Sequence, residues 1–393
     1  MKPDAPLPLA LDLLPAEWAA VMGELGQPAY RARQVFHALH AAGVRDWAAV
    51  RTLPAALREQ LAGKYVLAPS AVVQRAQSRD GTAKYLLGLR DGREVETVHI
   101  PDDGRVTVCV SSQAGCALAC TFCATGRLGL LRNLAAGEIV DQVERAREGD
   151  AAPNVVFMGM GEPLASYAAV VRAIRLLLAT EGLGLSPRRI TLSTSGLPDR
   201  MRQLARENLG IRLAVSLHAA DDAKRTALMP INARYPIAAV LAAAREYAER
   251  SGRRVSFEYV MLAGVNDTDA DAARLAALLP RRLAHVNLIP YNPTDAAFRG
   301  SSPERIARFA ALLRERGVAC SVRRSRGRDV QAACGQLAGQ SGREATGHAR
   351  DARRIPLGGQ NPRASVESPS GARRRPGSSS RGPRRHPEPV GVR

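Results

Sequence analysis

The sequence is poor in aromatic residues, in acid and in cysteine. Aromatics make up 4% of its 393 residues, against 46% hydrophobic residues overall. Ala, Arg, Leu and Gly dominate, which is the composition of a soluble globular protein with many helices. The length suffices for a core domain and one smaller domain. No secretory leader is expected. Lys2 is followed by Asp4, Asp12 and Glu17, with no clean apolar core before a cleavage site. The charge-free stretch Val106–Gly126 holds Ser, Thr, Gln and Gly, so it does not read as a membrane span. A cytoplasmic protein without a membrane partner is the expectation.

The shortage of acid leaves 56 Lys and Arg against 37 Asp and Glu, a net charge of +19. The last 51 residues, Arg343–Arg393, carry twelve Arg against four acids, so eight of those charges sit there and eleven on the body. Excess positive charge on the body as well as the tail points to a polyanionic partner, most often nucleic acid. The bland alternative is a general Arg bias of the proteome. A chain with only six cysteines needs no disulfide framework at this length. Four of the six crowd into Cys109–Gly126, CVSSQAGCALACTFCATG, while Cys320 and Cys334 stand far away. Such crowding favours metal or redox chemistry.

Residues 1–65 read as a small helical module. Ala29–His40 and Leu53–Ala62 have apolar residues at helical spacing, with Arg31, Arg33, Arg51 and Arg58 on other faces. It is either an RNA-binding lobe or a packing subdomain. Residues 66–104 alternate as strands over Val72–Gln77, Lys84–Leu89 and Val95–Ile100, separated by Asp-Gly turns, a small antiparallel hairpin extension. From residue 105 to 340, strand and helix signals alternate. Strands are predicted at Val106–Val110, Asn154–Met158, Arg189–Ser193, Arg212–Leu217, Val255–Met261 and His285–Ile289, and a short seventh near Val318–Val322. Six strand–helix units predict a partial (β/α)6 barrel, with a doubly wound open sheet as the alternative. In both, the active site belongs at the carboxyl ends of the strands. Residues 341–393 are Gly, Ser, Pro and Arg and predict a disordered tail.

Cys116, Cys120 and Cys123 have the spacing C-x-x-x-C-x-x-C. A zinc site prefers paired knuckles and four ligands, and no nearby His completes one. A cubane cluster has four irons, so three thiolates would leave one iron open. Gly159-Met160-Gly161-Glu162-Pro163 follows the second strand, where glycines allow close backbone approach to a ligand. Ser193, then Ser216-Leu217-His218, then Asn292 follow later strands. Each alone is more often structural. Together they are polar groups at successive strand ends, suited to a ligand held across the barrel mouth. A lone Cys such as Cys109, Cys320 or Cys334 is most often a small buried hydrophobe.

The three-cysteine loop after the first strand resembles the radical S-adenosylmethionine (SAM) superfamily. With RNL at Arg132–Leu134, EIV at Glu138–Val140, GMGEPL, TLSTSG, SLHA and RGRDVQAACGQLAG, residues 30–340 resemble its RlmN family of adenine carbon-2 RNA methyltransferases. The resemblance implies a [4Fe-4S] cluster on Cys116, Cys120 and Cys123, with SAM on the open iron. It implies SAM contacts from Gly161, Glu162, Ser193, Ser216, Leu217, His218 and Asn292. Cys334 would carry the methyl group as S-methylcysteine. A radical from a second SAM would activate that methyl for addition to the base. Cys109 would then attack the Cys334 sulfur, forming a transient disulfide and releasing the product. Carbon 2 of adenine is electron-poor, which explains a radical route. Glu96 reads by itself as a surface-strand carboxylate, but matches the family's proton acceptor.

The implied partners are 23S rRNA at the peptidyl-transferase centre, tRNA at the adenosine beside the anticodon, and an external electron donor of the flavodoxin type. A monomer is expected. Two departures stand out: Arg328, where an acidic residue is usual, and the Gly126–Leu130 loop, usually aromatic. Rival readings are a Cfr-like carbon-8 methyltransferase and a non-catalytic iron–sulfur or zinc RNA-binding protein. Arg323, Arg324, Arg326 and Arg328 precede Cys334 and would activate it, bind phosphate, or both.

Overall fold

The structure is a computed structural model that describes residues 7–149, 152–280, 282–294 and 296–338. All of these lie in one compact unit, Met1–Arg350. The Arg-rich tail falls outside the described residues.

The chain opens with three helices. α1 (Pro15–Glu24) starts with a proline at its first turn, where no amide donor is needed. α2 (Tyr30–His40) and α3 (Ala55–Ala62) match the two helices expected there. Trp18, Met22, Val35, Phe36 and Leu61 are fully buried between them. Three strands follow: β1 (Ser70–Gln77), β2 (Ala83–Leu89) and β3 (Glu94–Asp102). β3 turns at Asp103-Gly104 into β4 (Arg105–Cys109), the first strand of the core. A two-stranded ribbon, β5 (Gln113–Cys116) and β6 (Gly129–Asn133), frames the cysteine loop and the one-turn α4 (Ala124–Arg127).

Strands and helices then alternate. α5 (Ala136–Ala146) leads to β7 (Asn154–Phe157), and α6 (Tyr167–Leu178) to β8 (Ile190–Thr194). α7 (Pro198–Arg206) leads to β9 (Arg212–Ser216). α8 (Asp222–Leu228) and α9 (Ile237–Ser251) precede β10 (Val255–Met261). α10 (Asp269–Leu278) precedes β11 (Ala284–Pro290), and α11 (Pro303–Glu315) precedes the short β12 (Cys320–Val322). Observed strand limits differ from the expected ones by one or two residues.

One sheet of ten strands runs in the order β1-β2-β3-β4-β7-β8-β9-β10-β11-β12. β1 to β4 pair antiparallel, and β4 onward pair parallel. A doubly wound sheet reverses its strand order at a switch point. This order never reverses, so each crossover steps to the next strand, as in a barrel wall. The antiparallel hairpin extension joins the core sheet through the β3–β4 pair.

The helical module is pinned to the core through α5. Buried Asp141 accepts from Arg45 Nε at 2.6 Å and from Ser70 Oγ at 2.5 Å. Gly137 packs so closely that an added Cβ would lie 2.9 Å from Leu11 Cβ.

Candidate active site at the strand ends

The parallel strands end around a cavity of about 170 Å3, open to solvent. The cysteine loop closes one side of it. Cys116, Cys120 and Cys123 all line the cavity, with Phe122 between the last two. The loop's apolar side packs on Leu228, Met229, Val260 and Tyr291. Its backbone is held by Thr121 N–H to Leu228 O at 3.0 Å and Ala124 N–H to Gly335 O at 2.8 Å. Gly115 has φ +77°, and a Cβ there would lie 2.0 Å from Gly129 O, so no other residue fits.

Burial pushes the Cys116 thiol up to about 12, and raises Cys120 and Cys123 too. For Cys120 the neighbouring charges of Cys123 and Cys116 add to that. Three thiols in one apolar wall ionise together only beside a strong cationic centre.

The Gly159–Pro163 turn packs beside the start of β5, with Ser112 N–H donating to Met160 O at 2.8 Å and Glu162 N–H to Gln113 Oε1 at 2.8 Å. Gly161 has φ +100°, and its missing Cβ leaves room for Gln113, which would otherwise be 2.6 Å away. Glu162 is buried. Its Oε1 accepts from Leu164 N–H at 3.0 Å and Thr194 Oγ at 2.7 Å, and its Oε2 from Ser195 N–H at 2.8 Å. Burial raises its carboxyl above the ordinary range, and these donors pull the other way.

Ser193, Ser216, His218 and Asn292 line the cavity from successive strand ends. His218 has φ +58°, and its Nδ1 accepts from Val260 N–H at 3.0 Å, which leaves the proton on Nε2. Burial, then the Arg225 charge, lowers its pKa to about 3, so the ring is neutral. Phe122 meets it edge-on, centroids 4.9 Å apart. Leu217 differs from its neighbours. Its side chain is in the core, while its N–H donates to Glu258 O and its carbonyl accepts from Arg225.

Cys334 is exposed and lines the cavity, with its carbonyl accepting from Asn292 Nδ2 at 3.2 Å. Cys109, at the end of β4, is buried outside the lining. Burial pushes its thiol up to about 12, the nearby Cys334 charge adds to this, and Arg323 opposes it. Of the four arginines before Cys334, only Arg323 turns to the cavity. The charge of Cys334 first, then those of Glu258 and Cys109, raise the Arg323 pKa against the opposing effect of burial. Arg326 pairs instead with Asp102 at 2.7 Å. Cys320 sits half-buried against the main core.

Glu96 is not at the cavity. It is buried in β3, with Oε1 2.9 Å from Lys84 Nζ and Oε2 accepting from Ala338 N–H at 2.9 Å.

Sequence reasoning passed over two residues. Arg225, fully buried in α8, donates to the carbonyls of Leu217, Ser195, Ser216 and Tyr235 and to Asn232 Oδ1. It ties the ends of β8 and β9 together. Glu258, buried in β10, lines the cavity. Its signal was visible: a carboxylate inside the apolar run VSFEYVM.

A cluster with SAM fits this donor set. Three thiols face one cavity, and Ser195 Oγ, Glu258 Oε2 and Asn292 Oδ1, all lining it, are buried without a hydrogen-bond partner. Buried polar atoms left open point to a polar ligand. Among the described residues no three His, Cys, Asp or Glu side chains converge as ligands to a single ion. Cubane thiolates need not converge so, because each binds a different iron.

The class follows from this fold and loop. Residues 110–276 match the family model of the radical SAM superfamily. That superfamily implies an iron–sulfur cluster and SAM. A probable dual-specificity RNA methyltransferase RlmN from Symbiobacterium thermophilum is 46% identical, covering 84% of this chain and 91% of the relative. The dual-specificity RNA methyltransferase RlmN from Anaeromyxobacter dehalogenans is 48% identical, covering 82% and 90%. A crystal structure of a radical SAM methyltransferase from Sphaerobacter thermophilus superposes with TM-score 0.82 at 49% identity, over 85% of this chain and all of that one. The chain belongs to the RlmN family of dual-specificity RNA methyltransferases. No helix among the described residues is long and apolar enough to cross a membrane.

Proposed function

We propose that this protein methylates carbon 2 of adenine in 23S rRNA, at the peptidyl-transferase centre, and in tRNA, beside the anticodon. The reaction runs through Cys334 and Cys109 and uses two SAM per turnover. The observation that carries this is one exposed thiol, Cys334, sharing a cavity with three others while a fifth, Cys109, lies buried close by. Cys334 lines the same space as Cys116, Cys120 and Cys123, and Cys109 lies near enough that the charge of one affects the other.

Cys116, Cys120 and Cys123 would hold the cluster. Gly161, Glu162, Ser193, Ser216, His218 and Asn292 would hold SAM, with Leu217 placing its neighbours through its backbone. When bound, these groups supply the methyl group and a carbon-centred radical. Cys334 sulfur carries the methyl carbon to the base. Addition would leave one unpaired electron on the base, to be returned to the iron–sulfur centre, and Glu96 would take the carbon-2 proton. Cys109 thiolate then attacks the Cys334 sulfur, and the sulfur–carbon bond breaks with its electron pair on the methylene carbon. That carbon takes up a proton to become the methyl group, and a disulfide remains for external reduction. A flavodoxin-type donor supplies the electrons. Glu96 is the proton acceptor, a role that requires Ala338 N–H to release its Oε2, since the carboxylate is engaged in the structure. The basic helical module and the Arg-rich tail meet RNA phosphate. An adenine in folded RNA must be unstacked to enter such a cavity.

One experiment tests this reading. The wild-type, Cys334→Ala and Cys109→Ala proteins are each incubated with SAM, reductant and an rRNA fragment. The wild type should yield an adenosine whose mass and fragmentation place the methyl on carbon 2. Cys334→Ala should give no product. Cys109→Ala should accumulate a covalent protein–RNA adduct. Product from Cys334→Ala at the wild-type rate sinks the carrier, and a methyl on carbon 8 sinks the regiochemistry.

A further inference from the structure

Glu258 takes no part in the chemistry just described. It is buried in the middle of β10. Its Oε1 accepts from Asn287 Nδ2 on β11 at 2.9 Å. That amide is fixed, because Asn287 Oδ1 accepts from Ser321 Oγ on β12 at 2.6 Å. Ser321 Oγ in turn takes His285 Nε2 at 2.9 Å. Three side chains on two strands thus hold one carboxylate oxygen and leave the other to the cavity. Oε2 has no hydrogen-bond partner; its charged neighbour is Arg323 Nη1, an ion pair at 3.6 Å that leaves the rest of the oxygen to the cavity. Burial holds this carboxyl above its ordinary range, and Arg323 and Asn287 pull it down.

A buried carboxylate oxygen without a donor attracts a cation or a donor-rich ligand. The other open atoms, Ser195 Oγ and Asn292 Oδ1, also accept hydrogen bonds. The cavity therefore suits a cationic ligand rich in donors. SAM carries a positive sulfonium. S-adenosylhomocysteine, left after a methyl group has been donated, is neutral at sulfur and otherwise nearly the same shape. Shape cannot separate the two, but a fixed carboxylate in a low-dielectric cavity can.

We propose that Glu258 is the residue that selects SAM over S-adenosylhomocysteine, so that the spent cofactor leaves before the second SAM enters. This rests on the reading that SAM occupies the cavity. Arg323 opposes Glu258 and tempers the selection.

The test is a pair of binding constants, measured by calorimetry on full-length, cluster-reconstituted, oxidised protein. Every sample carries Cys334→Ala, so no methyl group is transferred during the titration. Glu258→Gln keeps the shape and the Asn287 contact but removes the charge. It should weaken SAM about tenfold and change S-adenosylhomocysteine by less than about twofold. Arg323→Gln should shift the ratio the other way, towards SAM. Equal weakening of both ligands by Glu258→Gln would show a merely structural role and overturn the proposal, as would an unchanged ratio. If Glu258→Gln does not fold, Arg323→Gln decides alone, and a ratio unmoved by it overturns the proposal. A parent protein that binds neither ligand overturns the cofactor reading itself, a different failure.

Discussion

The parallel and antiparallel halves of the sheet use their polar side chains in opposite ways. On the parallel side, Ser195, Glu258 and Asn292 end in atoms that bond to nothing and face the cavity. On the antiparallel side, such atoms are engaged with the segment that bears Cys334. Asp80 Oδ2 accepts from Gly327 N–H at 2.9 Å. Ser78 Oγ donates to Asp329 Oδ1 at 2.6 Å. Glu96 takes Ala338 N–H. The cavity side thus keeps three acceptor atoms open beside engaged ones such as Glu162, while the antiparallel side spends these groups on the Cys334 segment. Cys334 stands at the border, facing the cavity while its chain is strapped to β2 and β3. If Cys334 is the carrier proposed above, it must meet both a cofactor and Cys109, and it needs placing more than it needs burial.

The strongest way to break this contrast is Arg225→Met. Arg225 holds the carbonyls of Ser195 and Ser216 and so fixes the ends of β8 and β9 beside the cavity. Removing the guanidinium leaves several buried acceptors unpaired. The expected loss is about 3 kcal/mol or more, a melting temperature lower by about 6 °C or more. Iron content after reconstitution should fall with it. Arg225→Lys keeps the charge but not the fan of donors, and should recover only part of either. Unchanged melting and iron content would mean that the strand ends hold themselves.

A second experiment sharpens the border. Cys109 is pushed up to about 12, mainly by burial. Attack on the Cys334 sulfur needs the thiolate, so its rate should rise about tenfold per pH unit from pH 7 to 9 without levelling. An ordinary thiol, at 9.0, would bend the profile near the top of that range. The decay of the wild-type covalent adduct after rapid mixing reads this slope. A plateau below pH 8 would mean that a neighbouring base removes the proton, and that Cys109 is not held by burial alone.

Much of the cavity side was legible in the sequence, because strand alternation and cysteine spacing are local signals. The six parallel strands, the three-cysteine loop after the first of them and the turn at Gly161-Glu162 lie at the strand ends where their patterns put them. Arg225 was not legible. In DAKRTAL it looks like any surface arginine of a helix, and only tertiary contacts with β8 and β9 bury it. Leu217 was legible as part of SLH but not in its role, since a motif does not say which of three adjacent residues turns inward. Glu96 was placed in the right strand. That it meets Ala338, 242 residues on, has no local signature. α1 was passed over because PAEWAAVMGE is mostly small residues with two large anchors, Trp18 and Met22, one turn apart.

The smallest effect expected is on the strap itself. Asp80 closes the hairpin turn through Thr82 N–H on Oδ1 at 3.0 Å and holds Gly327 N–H on Oδ2. Burial works to raise its carboxyl, but the bonds from Gly327 and Thr82 outweigh it and lower the pKa to about 2. The folded value lies below the ordinary 3.8, so the strap's charge is present above that pH and lost as the pH falls through about 2. Asp80→Asn keeps an acceptor for Thr82 and removes only the charge on Oδ2. Because the side chain is exposed, the loss should be no more than about 1 kcal/mol. That is about fivefold more opening of the Cys334 segment, read as fivefold faster hydrogen exchange at the Gly327 amide. Amides of β8 and β9 should exchange as before. Gly327 has φ +65° with Thr82 and Ala332 packed where a Cβ would lie, so the segment has little freedom to re-form the bond elsewhere. If its amide exchanges unchanged in Asp80→Asn, the strap is held by Glu96 and Asn292 instead, and the antiparallel side positions Cys334 from its far end only.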